Sequence, residues 1–112
     1  MAKPVQLRRI AAEDIEAAVD NYRHQAGDTV AGRFVDAVER AIIHIGRHPH
    51  HGSLRFSHEL GIPELRAWPI ARFPYVVFYV ERDSTIDAWR LLHSRRDIPA
   101  ALRGDEDEQS TL

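Results

Sequence analysis

Residues Pro74 to Ile98, PYVVFYVERDSTIDAWRLLHSRRDI, admit few folds. Tyr75-Val76-Val77-Phe78-Tyr79-Val80 is β-branched and aromatic throughout, Glu81-Arg82-Asp83-Ser84 is polar, and Ile86 to Leu92 is largely apolar again. Such residues fit a pleated surface, and two such runs joined by a short polar turn form an antiparallel hairpin. The first run has no polar face. It therefore belongs in the middle of a sheet, with packing on both sides or a bound partner on one. The hairpin carries a polar knot, His93-Ser94-Arg95-Arg96-Asp97, to one end of that sheet.

The chain before it supplies what covers the sheet. Val5-Gln6-Leu7-Arg8 alternates as a short strand. From about Glu13 to Gln25 the period changes, and Ile15, Ala18, Val19 and Tyr22 form one helical stripe. Acids at its start and Arg23 and His24 at its end suit the helix dipole. Gly27 breaks the helix, and Asp28 is placed to N-cap the next, from about Thr29 to Arg47, whose stripe is Phe34, Val38, Ala41, Ile42 and Ile45. His48-Pro49-His50-His51-Gly52 ends it, and residues 52 to 63 read as a loop. Glu64 to Trp68 alternates as a strand, and Pro69, lacking an amide hydrogen, marks it as an edge. The order β-α-α-β-β-β predicts an α+β domain: a small antiparallel sheet with the helical hairpin on one face and the other face available.

At 112 residues the chain has room for one such core. There is no cysteine, which removes disulfides and thiolate metal sites. No run reaches membrane-spanning length and the start lacks a signal-peptide core, so a cytoplasmic protein is expected. The net charge of −2 conceals an asymmetry. Four acids lie together at Asp105 to Glu108, whereas Arg66 to Arg96 holds six arginines against Glu81, Asp83 and Asp87. That basic stretch suits phosphates or a carboxylate-rich partner, and 103–112 reads as a disordered acidic tail after a domain over 1–102.

Two clusters carry candidate chemistry. His44 and His48 have a spacing that can hold zinc, but histidines at a helix end also complement its dipole, and no carboxylate accompanies them. No metal or other cofactor is expected. His93 with Arg95, Arg96 and Asp97 offers an acid or base beside cations for a phosphate, with Arg66 and Arg72 joining if the strands pair as predicted. The alternative is structural: His93 bonds the backbone at the strand end, and Asp97 pairs with an arginine. No nucleophile has a triad-like context, and there is no glycine-rich phosphate loop.

The element order resembles the RelE/ParE superfamily of type II toxin–antitoxin toxins, most closely its ParE branch. So do FVDAVERAIIHIGRHPHHG, ELRAWPIARFPYVVFYV and LLHSRRDIP, with the His-x-x-Arg-Asp-x-Pro pattern at His93 to Pro99. The likeness spans residues 5 to 102. It implies a growth-arresting toxin, of the plasmid-stabilising kind, wrapped and silenced by a ParD-like antitoxin in a hetero-oligomer. The ParE branch implies DNA gyrase as target; the RelE branch implies cleavage of messenger RNA on the ribosome. RelE-like nucleases carry an arginine early in the central strand, where this chain has Pro74-Tyr75-Val76-Val77, and no tyrosine follows Asp97. Arg66 and Arg96 do match basic positions of the nucleases, with His93 as stand-in for the missing acid–base group. The expectation is a toxin acting by binding, with Arg66, Arg72, Arg95 and Arg96 on the target and Trp68, Phe73 and Trp89 as antitoxin anchors. An RNA endonuclease using His93, Arg66 and Arg96 is the alternative, and a non-toxic partner-binding module the second.

Overall fold

A computed structural model of the chain describes residues 2–103. The acids expected to form the tail lie outside them. Strand β1 is Val5–Leu7, helix α1 Arg9–Ala26, helix α2 Asp28–Arg47, helix α3 Arg55–Leu60, and strands β2, β3 and β4 are Leu65–Pro69, Tyr75–Glu81 and Ile86–His93. A 3-10 turn, Pro49–His51, follows α2, and a last helical segment covers 98–103. The strands form one sheet in the order β1-β4-β3-β2. The run without a polar face is β3, which lies inside the sheet as its composition predicts.

The architecture is α+β, with the helical hairpin on one face. Phe34, Val38, Ala41 and Ile45 of α2 and Ala18 of α1 pack there against Val77, Tyr79, Ile86, Ala88 and Leu91. Successive side chains of a strand point to opposite faces, so Phe78 and Val80 belong to a second cluster with Leu65, Ala67, Trp89, Leu92, Ile98 and Leu102. A bulge lets Phe78 face Arg90 while Tyr79 faces Ala88, skipping Trp89, which turns into that second cluster.

Several expectations need correction. The sheet is mixed, because β1 runs parallel to β4, pairing Val5 with Ile86 and Leu7 with Ala88. Its direction is set by α1, which continues along β4 so that Asp14 reaches Arg90 and the Leu91 amide. Residues 52 to 63 are not all loop. They hold α3, too short to stand on propensity but pinned by Phe56 and Leu60 against the second core and ended by Gly61 in the left-handed region, φ 66°. With 98–103, α3 closes the sheet face expected to be open. Finally, α1 starts four residues early, at Arg9, and Gly27 with φ 91° precedes α2 with no side-chain cap from Asp28.

Candidate functional site

On α2, Arg33, Ala37, Arg40 and His44 fall on a single helical stripe, in which Ala37 is buried, His44 half-buried and the two arginines exposed. Opposite them runs the outer margin of the sheet: Trp68 and Pro69 of β2, then Ala71, Arg72 and Phe73 of the turn into β3. Between lies a groove. One part, about 590 Å³, is lined by Val30, Arg33, Ala37, Arg40, Ala71, Arg72 and Phe73. It adjoins a second part of about 370 Å³, bounded by Ala41, His44, Trp68 and Pro69. The floor is apolar and the rim is cationic. Among the described residues, no carboxylate lies within ion-pair distance of Arg33, Arg40 or Arg72.

Each wall is held in place. Phe73 meets the rings of Tyr22 and Phe34 edge-on, with centroids 5.2 and 5.1 Å away, which anchors the turn to both helices. Arg72 sits at φ 71°, a conformation that costs a non-glycine residue about 1 kcal/mol or more, and the packing of the adjacent Phe73 holds the turn in it. Trp68 stacks on His44 at 4.4 Å with 15° between the planes. Burial, then the neighbouring His48 and His51, hold His44 below the ordinary imidazole pKa.

The margin itself is closed to strand addition. Leu65, Ala67 and Pro69 turn their outer backbone away from β3. Leu65 N–H donates to Ile62, Ala67 exchanges both bonds with Ser53 at 2.9 Å, and Pro69 has no hydrogen to give.

Arg66, expected on the target, is committed elsewhere. Its Nη1 donates to the carbonyls of His50 and Gly52 at 3.0 and 2.9 Å. The Tyr79 hydroxyl donates to Pro49 O at 2.8 Å and accepts from Gly52 N–H at 3.1 Å, so the two side chains jointly tie the turn after α2 to the sheet. Burial, the leading influence, pushes the Tyr79 pKa up.

Arg72 and the His93 knot share the other end of the sheet. Tyr75 faces His93 across the β3–β4 pair, and their rings meet edge-on at 5.1 Å. The Arg95 N–H donates to His93 Nδ1 at 3.0 Å, so Nδ1 is the acceptor and the ring proton sits on Nε2. His93 therefore bonds backbone at the strand end, as its structural reading held. Among the described residues Asp97 pairs with no arginine: its carboxylate accepts the Ala100 N–H and caps the final helical segment. Arg95 and Arg96 are exposed. His93, Arg96, Tyr75 and Asn21 line a cleft of about 200 Å³ against α1. Arg66 does not reach it: it lies opposite Tyr79 and His93 opposite Tyr75, which is four residues along and two strands across, about 16 Å by strand geometry.

Of the three expected anchors, Trp68 and Phe73 line the groove. Trp89 is 6% exposed in the core beneath the other sheet face, its Nε1–H held by Asp87, and has no surface to offer. Arg33, Arg40 and His44 were missed as lining residues, although their common helical stripe with Ala37 was a signal.

The sequence model of a family described as ParE toxin of type II toxin-antitoxin system, parDE, matches residues 5–98. A solved structure, "Chromosomal ParDE TA system from P. aeruginosa", superposes with a TM-score of 0.69 at 21% identity, covering 82% of this chain and 96% of that one. That likeness bears on the fold. No curated protein matches the chain by sequence.

Proposed function

The chain belongs to the ParE toxin family of type II toxin–antitoxin systems, and from that membership we propose that it arrests growth by binding DNA gyrase until a cognate ParD-like antitoxin neutralises it. The antitoxin docks an acidic, amphipathic helical segment in the α2–β2 groove, with apolar residues on Ala37, Trp68 and Phe73 and carboxylates on Arg33, Arg40 and Arg72. Complex formation gives a hetero-oligomer in the cytoplasm. Among the described residues no helix is long and apolar enough to cross a membrane. Arg95 and Arg96, exposed at the far end of the sheet, remain for the target.

One observation carries the choice of binding over RNA cleavage: the nuclease candidates do not converge. Cleavage by 2′-hydroxyl attack needs a base, an acid and a cation around one phosphate. Arg66 is spent on the turn after α2, and the Nδ1 of His93 is taken up by the Arg95 N–H. The cleft that joins Tyr75, His93 and Arg96 is the observation that favours the endonuclease as second reading.

The experiment is induction of the chain without antitoxin in a bacterial host, beside a supercoiling assay with purified gyrase. Filamentation, induced DNA repair and lost supercoiling, with translation continuing early, are expected. Prompt loss of translation with cut messages would overturn the proposal in favour of the endonuclease. No arrest by the folded protein would leave a partner-binding module.

A further inference from the structure

Spacing alone pairs His44 with His48, one helical turn apart. The fold pairs His44 with a different residue. After α2 ends, the Pro49–His51 turn brings the chain back, and His51 Nδ1 lies 3.0 Å from His44 Nε2. Two imidazole nitrogens bound to one tetrahedral zinc at 2.0–2.1 Å stand about 3.3–3.4 Å apart. The gap now bridged by a single proton is a few tenths of an ångström short of that span, so a small opening of the pair would admit a cation.

His48 stands beside the pair. Its ring centroid is 5.0 Å from that of His44 and 4.7 Å from that of His51, and the latter two are 5.0 Å apart. In a tetrahedral site of three imidazoles, Zn–N bonds of that length set the ring centres about 5 Å apart. The rings already have this spacing, although among the described residues no three ligating side chains have their donor atoms set for a metal. His44 and His51 converge now; His48 has to rotate. His50 is turned away, its Nε2 lying 3.4 Å from Glu81.

We propose that His44 Nε2 and His51 Nδ1 bind a divalent transition metal of the zinc, nickel or copper class, with His48 rotating in as third ligand. Imidazole suits these ions, whereas magnesium and calcium require oxygens that the cluster lacks. On binding, both facing nitrogens direct lone pairs at the ion. The ring that now donates moves its proton to its other nitrogen, so the step releases no proton from the neutral pair. Water fills the remaining positions in the isolated chain. The ion fixes the Pro49–His51 turn to the end of α2 and holds His44 against Trp68 at the groove mouth. This inference is independent of the gyrase reading.

Trp68 is the reporter. Stacked on His44, it is placed to be quenched by a paramagnetic ion there, while Trp89 lies in the core on the other face of the sheet. Ni²⁺ titrated into the full chain is expected to give saturable quenching that Trp68→Phe abolishes, and Zn²⁺ to raise Tm. Loss of a supporting group alone weakens metal sites 10–100-fold, so His44→Asn or His51→Asn should weaken binding at least about tenfold. His48→Asn should weaken it less, and His50→Asn and His58→Asn not at all. Circular dichroism confirms that the variants are folded. Equal affinity in His44→Asn and His51→Asn, dependence on His50 or His58, or no saturation below about 1 mM would overturn the site. Unchanged affinity in folded His48→Asn would remove the third ligand.

Discussion

On the β1–β4 side of the sheet the cations are consumed by carboxylates, and along α2 they are not. Lys3 reaches Glu81 at 2.8 Å. Arg8 forks onto both oxygens of Asp87 at 3.0 and 2.9 Å while lying 4.2 Å over the Trp89 ring, and Arg82 joins the same carboxylate. Arg90, 6% exposed, binds both oxygens of Asp14. Arg33, Arg40 and Arg72 line a groove of about 590 Å³ and, among the described residues, meet no acid. Arginine thus serves two ends. Where chain segments far apart in sequence must be joined, it is desolvated and paired. Along the groove, among the described residues, it has no carboxylate partner and stays exposed to outside charge.

That contrast predicts opposite responses to mutation. The largest effect belongs to Arg90→Met, which leaves the Asp14 carboxylate, 13% exposed, with the Leu91 amide but without its cation. Removing one partner of a buried pair costs about 3–5 kcal/mol. Urea denaturation should show that loss, and Asp14→Leu added to it should recover part; a cycle with no coupling would dissolve the comparison. Next comes Tyr79→Phe, which leaves the Gly52 N–H and Pro49 carbonyl without their partner and should cost about 1–3 kcal/mol.

Acid should act through the paired carboxylates. Burial tends to raise the Asp87 pKa from its ordinary 3.8, but the hydrogen bond and charge of Arg8, helped by Arg82 and Trp89, outweigh it and hold it lower. The hydrogen bond from Lys3 likewise holds Glu81 below 4.5. Depressed carboxylates contribute stability that is fully present above the unfolded values and lost as pH falls through the folded ones. Stability followed downward from pH 5 should decline, and Asp87→Asn should flatten the decline.

The smallest effects on folding fall in the groove. Arg33→Glu and Arg40→Glu should move stability by no more than about 0.5 kcal/mol, yet weaken antitoxin binding measured by calorimetry and reverse its salt dependence. Arg72→Gly sharpens the point. It relieves the left-handed backbone, so the fold should hold or gain while the complex weakens. Loss of stability without loss of affinity would mean that these arginines serve the fold after all.

How much of this was legible in the sequence varies with the range of the forces involved. Tyr75 to Val80 announced a central strand because composition alone decides burial on both faces, and the stripe from Phe34 to Ile45 announced α2 by period. The short α3 was hidden because Phe56 and Leu60 become helical only against a second core that the pattern does not locate. β1 was legible as extended but not in direction, since that depends on Asp14 meeting Leu91, 77 positions away. The candidate site divides in the same way. Trp68, Phe73 and Arg72 were visible as large or charged residues near an edge. Arg66 and Trp89 looked equally available, and only the turn after α2 and the bulge in β4 show that both are occupied.

The clasp between Ser53 and Ala67 has a consequence for the life of the free protein. A sheet with a bare margin recruits further strands, from its own kind above all, and such stacking ends in fibrils. Here one margin is already occupied and ends in Pro69, and the other is three residues long. Copies made without a partner therefore have little template on which to accumulate, and light scattering of the isolated chain should stay flat as concentration rises.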